Sequence, residues 1–316
     1  MTTATASPAD LRAERFRLRA RNAKDFARRF SRRRDGMVGL SILLFFSVLA
    51  LAPYLIVGPL ETVITASGTA LEPPSASHLL GTDHLGRDIL NLTVHGARIS
   101  MMIGLLATIV TVLIGVSVGI VAGYVGGSTD TVLMRITDFF LVLPTFVLAL
   151  ILAPIVLELI GAGAQIGGMR ATLFVIVIVI GVTSWASTAR IIRAQALSLK
   201  ERAFVSRARV IGASGSHIMT HHILPNVLNL IVANTVLVFA GAILTETVLA
   251  FVGLGDPFDP SWGQILSAAE SVGAPGLGAW WYIVPPSACV VLVVLSFTLV
   301  GSALDDVLNP RLRVRR

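Results

Sequence analysis

The chain has one cysteine, two lysines and three tyrosines in 316 residues, and only 14% of it is charged. Each shortage excludes something. A lone Cys289 allows no intrachain disulfide and no cysteine metal cluster, and inside an apolar run it reads as a small packing residue. The charged fraction falls far below the roughly 25% usual in soluble globular domains. The lysines bear most directly on chemistry. A phosphate-binding loop needs Gly-Lys-Ser/Thr, but Lys24 is followed by Asp25 and Lys200 by Glu201, and neither follows a glycine. No nucleotide-hydrolysing site is expected on this chain.

What the chain has in abundance is apolar length. Hydrophobic residues make up 54% and the mean hydropathy is +0.82. Runs near 20 residues recur, long enough to cross a hydrocarbon core about 30 Å thick. Six spans are predicted: Met37–Val57, Ile99–Tyr124, Val132–Leu157, Ala171–Ile192, Val227–Val252 and Tyr282–Ala303. The expected fold is an all-α integral membrane protein with six transmembrane helices. Thirty-six mostly polar residues precede a first run too long for a signal-peptide core, so that run is expected to stay as an anchor.

Six spans put both termini on one side. That side collects 22 of the 25 basic residues, and only Arg87, Arg98 and Arg170 fall on the other. Basic excess marks the cytoplasmic face, so both termini are expected there. The same clustering at membrane ends argues against nucleic-acid binding. The chain divides into a basic N-terminal tail (1–36), the anchor (37–58), an external loop or scoop (59–97), a transmembrane domain (98–306) with a polar loop at 194–226, and a basic tail (307–316). Residues 11–34 mix arginines with Leu11, Phe16, Leu18, Phe26 and Phe30; this suits either an amphipathic helix on anionic lipid or a disordered tail.

Three segments carry a family resemblance. Arg202–Asn226 reads RAFVSRARVIGASGSHIMTHHILPN: Ser206-Arg207-Ala208, then Gly212, then His222-Ile223-Leu224-Pro225. This resembles the coupling loop of ABC-transporter permeases, although the first two letters of the family's Glu-Ala-Ala are replaced. His78–Ser100 contains GTDHLGRD, similar to the segment before the second span in the C-type permease of dipeptide, oligopeptide and nickel importers. Gly253-Leu254-Gly255, Pro257 and Pro260-Ser261-Trp262-Gly263 match that family's segment after the fifth span, and Asn309-Pro310-Arg311-Leu312 resembles its ending.

The resemblance implies a type I importer permease in the bacterial inner membrane. Its partners would be a second homologous permease, two ATPase subunits carrying ATP and Mg, and an external solute-binding protein; the chain itself would be non-catalytic and bind no cofactor. ATPase coupling would fall on Phe204, Val205, Ser206, Arg207, Ala208, Gly212, Ala213, Ser214, His222 and Pro225. The binding protein would dock near His78–Arg98 and Gly255–Trp280, with Gly81, Asp83, Gly86, Arg87, Asp88 and Trp262 as candidate contacts. Dipeptides or oligopeptides are the implied cargo, with nickel, glutathione or haem as alternatives.

Local physics gives each segment further expectations. In the coupling loop, Phe204, Val205, Ala208 and Ile211 recur at helical spacing and predict one apolar face for docking. Gly212 permits a sharp turn, Ser214 can cap a second short helix, and Pro225 is expected to close it. In the external loop Asp83 is expected to cap a short helix, with Arg87 and Asp88 hydrated or paired at the surface. Glu246 lies deepest of the acidic residues within spans. An ionised group at a helix centre costs about 2.5–3.5 kcal/mol, so it should face the pathway or a partner subunit. Gly115–Gly119 allows close helix approach, as ordinary packing or as a gate surface. A metal site among His78, His84 and His95 or among His217, His221 and His222 lacks suitable spacing, apart from His217 and His221. The rival class, an ion-coupled secondary transporter, would want more midplane carboxylates or histidines than these spans hold.

Overall fold

A computed structural model describes residues 21, 24–161 and 163–308. Residues 1–20 of the basic tail and the Asn309–Leu312 ending lie outside the described residues.

The described residues are mostly helical. Five helices are long and apolar enough to cross a membrane, and a bent pair makes a sixth if counted as one span. In order they are α1 (Arg34–Leu51) with the short α2 (Pro53–Val57), α3 (Ile89–Val125), α4 (Gly127–Val142) and α5 (Thr145–Ile160), α6 (Ala171–Lys200), α9 (Leu224–Leu249) and α11 (Val284–Leu308). Three short helices lie between them: α7 (Ala203–Val210) and α8 (Gly215–Ile218) before α9, and α10 (Trp262–Ser271) after it. A hairpin of two-residue strands, Gln165–Ile166 and Met169–Arg170, joins α5 to α6.

Two spans depart most from the expected bounds. The second begins ten residues early, at Ile89, because Asp88 caps it: the carboxylate accepts from the N–H groups of Leu90 and Asn91 at 2.6 and 3.2 Å. At 37 residues α3 is about 55 Å long, well beyond a bilayer core. The third span is broken. Its halves meet at 93° around Leu143–Pro144. Leu143 sits in extended geometry at ψ 128°, as the proline ring disfavours helix in the residue before it. Pro154 lies inside α5.

The bundle is held by close backbone approach. Gly115, Gly119 and Gly123 form a stripe on α3 against Thr188, Ala189, Ile192 and Ala196 of α6; a Cβ at any of the three would lie within 2.9 Å of α6 atoms. This is the packing role expected of Gly115–Gly119. Phe239 of α9 stacks on Phe297 of α11 with centroids 4.0 Å apart. The described part of the N-terminal tail, a helical segment over 24–31, rests on this chain rather than standing free. Phe30 is buried against Val300 and Ala303, and Arg33 pairs with Asp306 at 2.6 Å.

Candidate functional site

The connections gather at two ends of the bundle. One end, the knob, carries residues 201–223, the α3–α4 turn and the last residues of α11. The other, the cap, carries 58–88, the β-hairpin and 255–283.

At the knob, α6 runs on to Lys200, so the chain leaves the bundle only for α7, a turn and α8. Gly212 adopts φ +85°, a conformation open to glycine at no steric cost. Around it the N–H of Ala213 donates to the Ala208 carbonyl at 3.0 Å and that of Gly212 to Arg209 at 3.1 Å. Ser214 then caps α8, accepting from the His217 N–H at 3.3 Å. Pro225 does not close this helix. A π turn over Met219–Ile223 carries α8 directly into α9, with the Leu224 N–H donating to Met219. The wider turn precedes a proline that has no N–H to offer.

The apolar face expected for docking is split. Val205 and Ala208 are buried at 0% and 4% exposure, packed with Ile192, Ala196, Leu199, Ile218 and Val227 of this chain. They fasten the knob to the bundle. The residues left outward are Phe204 and, at the tip, Val210 and Ile211 at 88% and 84% exposure. Ser206, Arg207, Arg209 and Arg202 are exposed around them. An apolar tip with a basic rim thus replaces the predicted stripe. His222 is half-buried with its ring 6.4 Å from that of Phe204, while its carbonyl accepts from Asn226 Nδ2 at 2.7 Å. His217 and His221 stack with centroids 4.3 Å apart.

Ion pairs brace the same end. Arg193 of α6 grips Asp130 of α4 through two bonds of 2.5 and 2.6 Å, and Arg190 reaches Asp138 at 2.6 Å.

At the cap, most residues expected to meet a binding protein turn out to build the cap itself. Asp83 is fully buried and caps no helix. Its Oδ1 accepts from the N–H groups of Leu85 and Arg87 at 2.8 and 2.9 Å, while Oδ2 takes Arg87 Nε and Nη2 at 2.8 and 2.7 Å. Four donors on one carboxylate close the GTDHLGRD turn, leaving helix capping to Asp88, which also faces His78 Nδ1 at 3.3 Å. Gly81 and Gly86 are buried at positive φ; a Cβ on Gly81 would meet the Glu72 carbonyl and the Trp281 ring at 2.6 Å. Trp262 is completely enclosed, its Nε1 donating to the Thr93 carbonyl at 2.9 Å and its ring edge-on to Phe46. Only Arg87 and Asp88 keep partial exposure. Val63, Ile64, Leu79, Phe258, Leu277 and Trp280 are the large apolar side chains more than half exposed in these loops.

Between cap and bundle lies an open cavity of about 470 Å³ bounded by Tyr54, Arg98, the β-hairpin and Asp259. Its cations are engaged: Arg170 pairs with Asp259 at 3.1 Å and stacks over Phe258, and Arg98 lies 5.8 Å from the Tyr54 ring centroid.

Glu246, expected to face the pathway or a partner, is buried inside the bundle. It is wholly enclosed by this chain. The hydroxyls of Ser261, Ser100 and Thr247 approach the carboxyl, yet none reaches hydrogen-bond geometry. Ser261 is the N-cap of α10, so the carboxyl lies near a helix N-terminus, where negative charge is favoured. A packing reason accompanies this: Gly263 lets α10 press onto the Thr247 backbone, covering that stretch of α9.

The comparisons with known proteins agree with this anatomy. Residues 115–314 match the family described as binding-protein-dependent transport system inner membrane component. The chain is 36% identical to the dipeptide transport system permease protein DppC of Bacillus subtilis, over 92% of this chain and 86% of that one. It is 35% identical to the oligopeptide transport system permease protein OppC of the same organism, over 92% and 90%. The OppC of Mycobacterium bovis is 33% identical, over 92% and 94%. A match across most of the sequence, together with the helical bundle and its knob, makes this chain a member of the binding-protein-dependent transport system inner membrane component family, the permease subunits of ABC importers.

Proposed function

We propose that this permease forms half of a path for dipeptides or oligopeptides, driven by ATP hydrolysed on separate subunits. The observation that carries the cargo is the similarity, end to end, to permeases named for dipeptide and oligopeptide transport. The absence of Gly-Lys-Ser/Thr supports assigning ATP and Mg to partner ATPases. The partners would be two such ATPases, a second homologous permease and a solute-binding protein.

In this reading the knob lies in the cytoplasm, as the 22 basic residues at that side suggest. Its tip, Val210 and Ile211, inserts in a cleft of the ATPase while Arg207 and Arg209 meet the cleft rim. Val205 and Ala208 then pass the displacement to α6 and α9. The cap faces outward and receives the binding protein on Leu79, Phe258, Leu277 and Trp280. Reconstitution of the whole complex with its binding protein tests the cargo. We expect ATP-dependent accumulation of labelled di- and tripeptides; accumulation of nickel or haem with no peptide uptake contradicts it.

A further inference from the structure

A second cavity, of about 340 Å³, opens at mid-height in the bundle among α3, α5, α6 and α9. Its polar lining is Thr111, Thr145, Ser184, Ser187, Asn234 and Thr245. That is five hydroxyls and one carboxamide, with no ionisable group.

Each of these sits where a polar group is costly unless it faces protein or water. Ser184 and Ser187 are one turn apart on α6, and Asn234 and Thr245 three turns apart on α9, so two helices turn polar rows to one space. Thr111 adds an unsatisfied hydroxyl to this lining. It lines the cavity at 0% exposure, and its hydroxyl has no hydrogen-bond partner among the described residues. Thr108, one turn earlier, satisfies its hydroxyl on the Gly104 carbonyl at 2.6 Å. Thr111 does not. Asn234 is oriented by donating Nδ2 to Thr188 Oγ1 at 2.9 Å. The open flank is made by Ser187, Leu237 and Gly241, all exposed in the single chain.

We infer that this cavity is a peptide-contact site that reads main chain and ignores side-chain charge. The inference rests on the peptide reading above and deepens it. A hydroxyl rotates to donate or accept, and a carboxamide does both. Such a lining satisfies the N–H and C=O groups common to all peptides. It offers no fixed charge to attract or repel a lysine or aspartate side chain. A metal ion would find none of the carboxylates or imidazoles it prefers here.

The test installs a charge. Asn234→Asp keeps the side chain's shape, and in the complete transporter its uptake is compared with wild type for three tripeptides with central alanine, lysine or aspartate. Each rate is expressed relative to wild type for the same peptide, which cancels selection by the binding protein. At mildly alkaline pH, where the carboxyl is ionised, the lysine-to-aspartate uptake ratio should rise about tenfold, as one close charge in a poorly solvated site allows. Ser184→Lys should move the ratio the opposite way, and carries the test if Asn234→Asp fails to assemble with its partners. An assembled, ATP-hydrolysing variant with an unchanged ratio, or with all three peptides slowed alike, overturns the inference alone. Wild type that imports none of the three overturns the peptide reading, and this inference with it.

Discussion

The two ends of the bundle both carry a family motif, and they use it in opposite ways. At the cap the motif residues turn inward. Asp83, Gly81 and Trp262 are buried, and four hydrogen bonds converge on one carboxylate. At the knob the motif makes a short helix held by two small contacts, Val205 and Ala208, with its tip left bare. In the proposed reading, the cap stays fixed where the binding protein lands. The knob is suited to being pushed as a unit, since its buried side chains join one cluster with α3, α6 and α9.

The largest effect that sharpens this contrast is expected at Asp83. Asp83→Ala leaves the Arg87 guanidinium and two N–H groups without their acceptor. Breaking a buried pair of this kind costs about 3–5 kcal/mol. A marked fall in the thermal midpoint of the detergent-purified protein should follow, whereas an unchanged midpoint would mean the cap is not fixed by this carboxylate.

Next in size is Gly212→Val. No atom lies within 4 Å of a Cβ there, so space is free and the penalty is backbone strain alone. Strain at such a φ costs about 1–3 kcal/mol. We expect normal membrane insertion, but no substrate-stimulated ATP hydrolysis in the reconstituted complex. Full stimulation would show that the turn is not needed to transmit force. The smallest effect is expected from Ser214→Ala. It removes one helix cap, about 1 kcal/mol, and should lower stimulated hydrolysis only partly while leaving the midpoint unmoved.

Much of this fold is legible in the sequence, and the failures have physical causes. Hydropathy finds the start of the last span closely and stops it at Ala303, because α11 is mostly apolar up to there and then continues through Asp305 and Asp306. It misses the start of α3, since the stretch holding Asn91, Thr93, His95, Gly96, Arg98 and Ser100 is helical but largely polar or small, buried in part by Trp262. Pro144 is visible in the sequence; that it turns the chain through 93° is not. The knob is instructive in a different way. Helical spacing groups Val205 with Ala208 correctly but wrongly adds Phe204, and whether a face looks inward or outward depends on Ile192, Ala196 and Val227, far along the chain. Glu246 is likewise readable as costly, yet its shelter comes from Ser100 and Ser261 on other elements. The hydroxyl cavity escapes notice entirely, because its six polar residues are spread over four helices with no motif of their own.

The central claim is that the knob tip receives the ATPase. Ala208→Asp cannot test it, since the new charge would be buried in this chain's own core. Ile211→Asp can, because that side chain is 84% exposed and touches no part of the bundle core. Recovery of ATPase subunits in a pull-down with tagged permease, wild type against Ile211→Asp, is the most direct measurement. Docking would strand an unpaired carboxylate in a protein cleft, a penalty of several kcal/mol, so the variant should insert normally yet lose nearly all bound ATPase. Equal recovery from both proteins would contradict the account.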